Sequence, residues 1–228
     1  MTNSASHVKH AFDDISGSLN TGDVFLAHGD SLISEVIEVL LWSEWSHSGM
    51  VVLAEDIGLN HLSTNILLWE STRSTDLPDI VTGNYKKDPK HPGGAFLVDL
   101  RKRLASDIEI GEIPVAFRRL EAVRTSSMLD ALKSTTNDVR DAFFPGNKEF
   151  AEDFAKGRFE NKGPSSYDHF FCSELVAYTL MKMDLLSDKK VPNYYEPKTY
   201  SLKNTHGIPL IHGASLGEEI WVDRLSDT

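Results

Sequence analysis

The stretch HFFCSELVAY, residues 169–178, carries the only cysteine of the chain. A polar segment gives way here to a helical pattern. Leu175, Val176, Thr179, Leu180 and Met183 recur at the spacing of one helix face, which predicts a helix from Cys172 to Leu186. Cys172 therefore falls at a helix N-terminus. A lone thiol can be inert packing, because free cysteine is among the most buried side chains. At a helix N-terminus it can also be a reactive thiolate, since unpaired N–H groups and the macrodipole stabilise the anion.

A cysteine nucleophile needs a base within hydrogen-bond reach and a third group to orient that base. SHSGMVVL, residues 46–53, reads as a β-branched strand with His47, Gly49 and Val51 on one face and Ser48, Met50 and Val52 on the other. NILLWEST, residues 65–72, reads as the next strand, with Glu70 near its end. If the two strands are neighbours, Glu70 can fix the tautomer and ring orientation of His47. The backbone N–H of Cys172 is then available to an oxyanion.

Other residues near these positions have weaker claims. His169 is the rival base, but three residues before the cysteine it is poorly placed for proton transfer and reads as a loop residue lining the site. Tyr167 is a candidate substrate contact and second oxyanion donor. Asp23 is read two ways, as a group that orients the histidine or meets substrate, and as a turn former whose carboxylate accepts backbone N–H bonds. The second is preferred.

The segments GDVFLAHGDSLISEVIEVLLWSEWSHSGMVV (22–52), LLWES (67–71) and FFCSELVAY (170–178) together resemble the circularly permuted papain-fold hydrolases of the NlpC superfamily, the YiiX-like group. The shared order is a Gly-Asp turn and strand, a histidine in an SH-x-G setting, an acidic residue on the next strand, and last a helix opening with CSEL. The resemblance covers roughly residues 21–70 and 167–200. It implies an α+β, papain-like fold with an antiparallel sheet packed against helices. It also implies Cys172 as nucleophile, His47 as base and Glu70 as orienting residue. Neither a metal nor a cofactor is expected.

Composition narrows the partners. At 228 residues with 40% apolar side chains the chain is long enough for one sizeable core, and a single domain over 1–228 is the simplest organisation. A net charge of −11 opposes a nucleic-acid surface, and the clusters RKR at 101–103 and Arg118/Arg119 are too small to reverse that field. One cysteine makes neither an internal disulfide nor a multi-cysteine metal site. No signal-peptide pattern opens the sequence, and the apolar run LISEVIEVLLW is broken by Glu35 and Glu38 and too short to span a bilayer. The expectation is a soluble, cytoplasmic protein acting on a small-molecule, peptide or lipid-linked substrate, its oligomeric state open.

Along the chain, residues 1–18 read as an N-terminal arm or short helix and Val24 to Ala27 as a strand. A helix is expected from Asp30 or Ser31 to Leu41. Residues 75–94 read as a long loop, AFLVDL and IPVAFRRL as strands, and 126–142 as a helix. Residues 144–166 form a charged insertion or lid with a helical turn or two. From Lys189 onward the chain reads as turn-rich. The loops 71–93 and 144–166 are the expected walls of the site, and their polar composition favours a peptide-like or amino-acyl amide over a long fatty chain.

Two motifs are decoys. GASLG, residues 213–217, fits the serine-hydrolase elbow, but that elbow needs a preceding strand, a following helix and a downstream histidine, and the last histidine is His212. HVKH, His7 and His10, has the spacing of a helical metal pair without further ligands. The expected activity is cleavage of an amide bond by a Cys-His-Glu triad through an acyl-enzyme. Its alternatives are an acyltransferase or thioesterase of the lecithin:retinol acyltransferase kind and a non-catalytic binding module. The last is disfavoured because a binding domain has no need of a thiol, a base and a carboxylate together.

Overall fold

The computed structural model describes residues 7–27, 45–73, 76–85, 93–110, 115–164, 166–204 and 207–226. The helix expected from Asp30 or Ser31 to Leu41 lies outside the described residues.

The fold is α+β. Its strands are β1 (Lys9–Ala11), β2 (Val24–Ala27), β3 (His47–Leu53), β4 (Ile66–Thr72), β5 (Gly94–Asp99), β6 (Val115–Glu121) and β7 (Ser215–Arg224). They form one seven-stranded sheet in the order β1-β7-β6-β2-β3-β4-β5. Every pairing is antiparallel except β1 with β7, which is parallel. The described helices are α1 (Phe12–Ser16), α2 (Leu100–Leu104), α3 (Ser126–Asp138), α4 (Asn147–Ala155) and α5 (Cys172–Lys182).

Side chains alternate across the sheet, so each strand supplies two cores. On one face Val24, Leu26, Met50, Val52, Leu67, Trp69 and Leu97 pack against α3 and α5 through Met128, Leu132, Leu175, Val176 and Leu180. On the other, Phe25, Val51, Leu68, Phe96, Val98 and Phe117 meet α1 and α2 through Phe12, Ile15, Leu100 and Leu104. Burying each such side chain contributes roughly 1.5–3 kcal/mol relative to leaving it in water. The central strands therefore read as near-continuous apolar runs because both of their faces are covered.

Several expectations are corrected. Of the two readings of residues 1–18, the short helix is present as α1, and residues 7–18 are not a loose arm: Lys9 and His10 pair with Trp221 and Val222, and Phe12 and Ile15 are buried in the second core. The turn-rich tail contains the ten-residue β7, which lies between β1 and β6. Ser215 of GASLG opens β7 instead of a helix, so the elbow geometry is absent. In HVKH, His7 stacks on the Trp221 ring at 4.5 Å and His10 lies in β1. The helices predicted for 172–186 and 126–142 end earlier, at Lys182 and Asp138. Within the charged insertion, α4 is a nine-residue helix with an apolar side: Phe144, Phe150, Phe154 and Phe171 form a small core of their own.

Candidate active site

Three consecutive structural choices bring Cys172 to the end of the sheet. The β3–β4 ladder runs from Leu53/Ile66 to Met50/Trp69 and stops there. Past that rung, the Ser48 N–H donates to the Cys172 sulfur and the Ser71 hydroxyl donates to the Phe170 carbonyl. The opening of α5 is thus tied to both strands beyond the last rung. The segment leading into it is itself fixed, since Phe143 N–H donates to the Asp168 carbonyl at 2.8 Å and Phe170 N–H to the Phe143 carbonyl at 2.9 Å.

The first turn of α5 is anchored from below. Ser173 Oγ donates to the Tyr195 carbonyl at 2.9 Å, and the Tyr200 hydroxyl donates to the Ser173 carbonyl at 2.8 Å. Glu174 reaches back to accept the Phe171 N–H at 3.3 Å, closing the helix start as an N3 glutamate does in a capping box. Burial drives the Glu174 carboxyl well above the usual range, and Asp153 and Cys172 add to the rise. Trp69 Nε1 donates to Thr179 Oγ1 at 3.1 Å and ties α5 to β4.

Trp69 and Glu70 are adjacent in β4 and so point to opposite faces. Trp69 meets α5, while Glu70 lies on the α2 side with His47. There His47 Nε2 and Glu70 Oε2 are 2.6 Å apart. The histidine side chain is 15% exposed and the carboxylate wholly buried. The imidazole also meets the Phe25 ring edge-on, with centroids 6.2 Å apart. With Nε2 committed to Glu70, the other ring nitrogen, Nδ1, is the one left for Cys172, and the ring and thiol are hydrogen-bonded. Cys172 Sγ also lies 4.0 Å from the Ser46 carbonyl.

The electrostatics follow from this placement. Burial by itself lowers the His47 pKa, but the bonds to Cys172 and Glu70 and their charges outweigh it and raise it to about 10. Burial by itself raises the Cys172 thiol; the His47 bond and charge, with the Ser48 and Ser173 N–H groups, bring it below its usual value. Together these shifts favour a thiolate–imidazolium pair. Glu70 would be pushed up by burial, but the charges and bonds of Arg103 and His47 bring it down to about 2.

Arg103 is the residue that sequence reasoning missed. It sits in the RKR cluster, where adjacent basic side chains suggest a solvated face. In α2 the third of them turns inward instead, and its Nε donates to Glu70 Oε1 at 2.9 Å. Its Nη1 donates to Asp107, four residues on. The i, i+4 spacing of Arg103 and Asp107 was the available signal.

The remaining expected residues fall elsewhere. Tyr167 packs on the rings of Phe170 and Tyr178, at 5.7 and 4.9 Å. His169 lies against Phe143. Asp23 is at the far end of β2 from Ala27, the partner of His47. Its carboxylate accepts the N–H groups of Asn20 and Leu120, both at 2.9 Å, and pairs with Arg124. These are the contacts of a carboxylate that forms a turn. Among the described residues no group of three or more His, Cys, Asp and Glu side chains could hold a metal ion, and no helix is long and apolar enough to cross a membrane.

Comparison with known proteins adds a distant likeness. No family model matches the sequence, and no curated protein matches it significantly. Among solved structures, the crystal structure of the metalloprotein YiiX from Escherichia coli O157:H7 is similar at 18% identity. The match covers 88% of this chain and 87% of that one, with a TM-score of 0.44.

Proposed function

We propose that the protein is a thiol hydrolase that cleaves an amide bond through an acyl-enzyme on Cys172. The observation that carries this reading is the run of contacts at the end of the sheet: the Cys172 thiol on His47, and His47 Nε2 on Glu70 at 2.6 Å. A buried packing cysteine has no use for an imidazole whose far nitrogen is held by a buried carboxylate. A nucleophile does.

In the reaction, the Cys172 thiolate attacks the substrate carbonyl carbon and a C–S bond forms as the carbonyl electrons move to oxygen. The Cys172 N–H, at the first helical position and without an intrahelical acceptor, donates to that oxyanion. Collapse breaks the C–N bond, and the imidazolium proton of His47 passes to the departing amine. Water then gives a proton to His47 and adds to the thioester. Expulsion of the thiolate regenerates the starting pair and releases the carboxylic acid.

Intact mass spectrometry with a panel of activated peptide-like amides, esters and thioesters tests this. An acyl adduct on Cys172 that forms and decays in the wild type, and is missing in Cys172→Ala, supports the reading. Transfer of the acyl group to an added amine or alcohol in preference to water would make the protein an acyltransferase. The lack of any adduct across the panel, with rapid alkylation also missing, would leave a binding module.

A further inference from the structure

Glu70 has no exposed surface, yet both of its oxygens are engaged by different elements. Oε2 faces His47 on β3, and Oε1 accepts from Arg103 on α2 at 2.9 Å. Arg103 is itself only 14% exposed and is held by Asp107 in the π-helical stretch Ala105–Ile110 that follows α2. We propose that Arg103 is a positioning residue for the Cys172–His47 pair, clamping one oxygen of Glu70 so that the other stays charged and aimed at His47 Nε2. The inference rests on the cysteine-nucleophile reading above.

A carboxylate removed from water favours its neutral form unless a charge or hydrogen bonds compensate. A neutral imidazole supplies one hydrogen bond and no counter-charge. Arginine remains protonated throughout the accessible pH range, and its rigid fork fixes the carboxylate plane. The opposing effect is repulsion between the guanidinium and an imidazolium at His47. Asp107 offsets it from the far side, so charge alternates in sign along Cys172, His47, Glu70, Arg103 and Asp107. Among the described residues, Glu174 on α5 and Tyr200 in the Pro197–Tyr200 turn are also coupled to the sulfur, and burial raises the pKa of both. Glu70 is thus the anion that faces the imidazole from β4, and Arg103 is the group that keeps it ionised.

A clamp that merely joins α2 to β4 would affect stability and leave the chemistry of the sulfur alone. The test is therefore the pH profile of iodoacetamide alkylation at Cys172, read by mass spectrometry in folded wild type, Arg103→Met, Arg103→Lys, Glu70→Gln and the Arg103→Met/Glu70→Gln double variant. Arg103→Met should move the acid limb up by about one pH unit, slowing alkylation about tenfold at pH values below the midpoint of that limb. Arg103→Lys should recover part of that rate, and Arg103→Met should add nothing once Glu70 is replaced by glutamine. A profile for Arg103→Met that superposes on the wild type overturns the proposal, as does an equal effect of Arg103→Met with and without Glu70. If Arg103→Met does not fold, Arg103→Lys replaces it in the cycle. Slowing by Arg103→Lys in the presence of Glu70, but not in the Glu70→Gln background, supports the proposal, and equal slowing in both overturns it. Slow alkylation of the wild type itself at pH 6 removes the nucleophile reading and this inference with it, whereas a fast wild type indifferent to Arg103 removes the inference alone.

Discussion

Gly49 and Glu70 face one another across β3 and β4 with no room for a side chain between them. A β-carbon at position 49 would lie 3.3 Å from Glu70 Cβ, 3.2 Å from the Trp69 carbonyl oxygen and 2.9 Å from Leu68 Cδ1. The glycine of the SHSG segment thus serves the carboxylate that holds His47. Gly49→Ala should cost about 1–3 kcal/mol through overpacking. It should also slow Cys172 alkylation, because Glu70 must shift away from His47. Urea unfolding and alkylation rates measured on the same sample check both effects.

Glu70→Gln keeps the shape of the side chain and removes its charge. His47 then loses its anionic partner and Arg103 is left buried against a neutral amide. Acylation should fall by about a hundredfold or more, in line with what positioned acid–base groups contribute. Circular dichroism alongside stopped-flow acylation separates this loss from unfolding.

The pH dependence of stability has a defined sign. The Glu70 pKa is lowered from 4.5 to about 2. Its contribution is therefore present above the unfolded value near 4.5 and is lost as pH falls from there toward about 2. His47 is raised to about 10, so its contribution is full below 6.5 and fades as pH rises toward that value. The stability difference between wild type and Glu70→Gln should accordingly shrink on acidification from about pH 5 to about pH 3 in denaturant titrations. A difference that stays constant over that range contradicts the assigned shift.

Helix α4 is seated on the start of α5. The Phe150 ring meets Phe171 edge-on at 5.0 Å and stacks on Phe154 at 6.1 Å. Phe150→Ala should remove about 3–5 kcal/mol of packing. Thermal unfolding distinguishes this from an independent lid, whose loss would leave the main transition unmoved.

The parts of this fold that were legible in the sequence are those whose neighbours are local or whose composition is extreme. The β-branched runs of β3 and β4 and the periodic face of α5 belong to this class. So do His47, Glu70 and Cys172, because alternation and helix position fix them one element at a time. β1 was not legible: three residues carry too little pattern, and their partners lie at the other end of the chain, around Trp221. β7 was hidden by Glu218, Glu219 and Asp223. Of these, Glu219 is no solvated charge, since it accepts bonds from Trp45, Ser201 and Leu202. Arg103 was hidden in the same way, among basic neighbours that stay outside. Charge reads as surface in a sequence, and only tertiary pairing reveals the exceptions.

The pH profile of Cys172 alkylation in wild type and His47→Ala bears most directly on the central claim, a thiolate sustained by His47. An ordinary thiol is ionised to only about 0.3% at pH 6. The wild type should therefore react at least about a hundredfold faster than His47→Ala at that pH, and the variant should catch up only near about pH 9. A wild-type rate that rises with an ordinary thiol's ionisation, unchanged by loss of the imidazole, would contradict it.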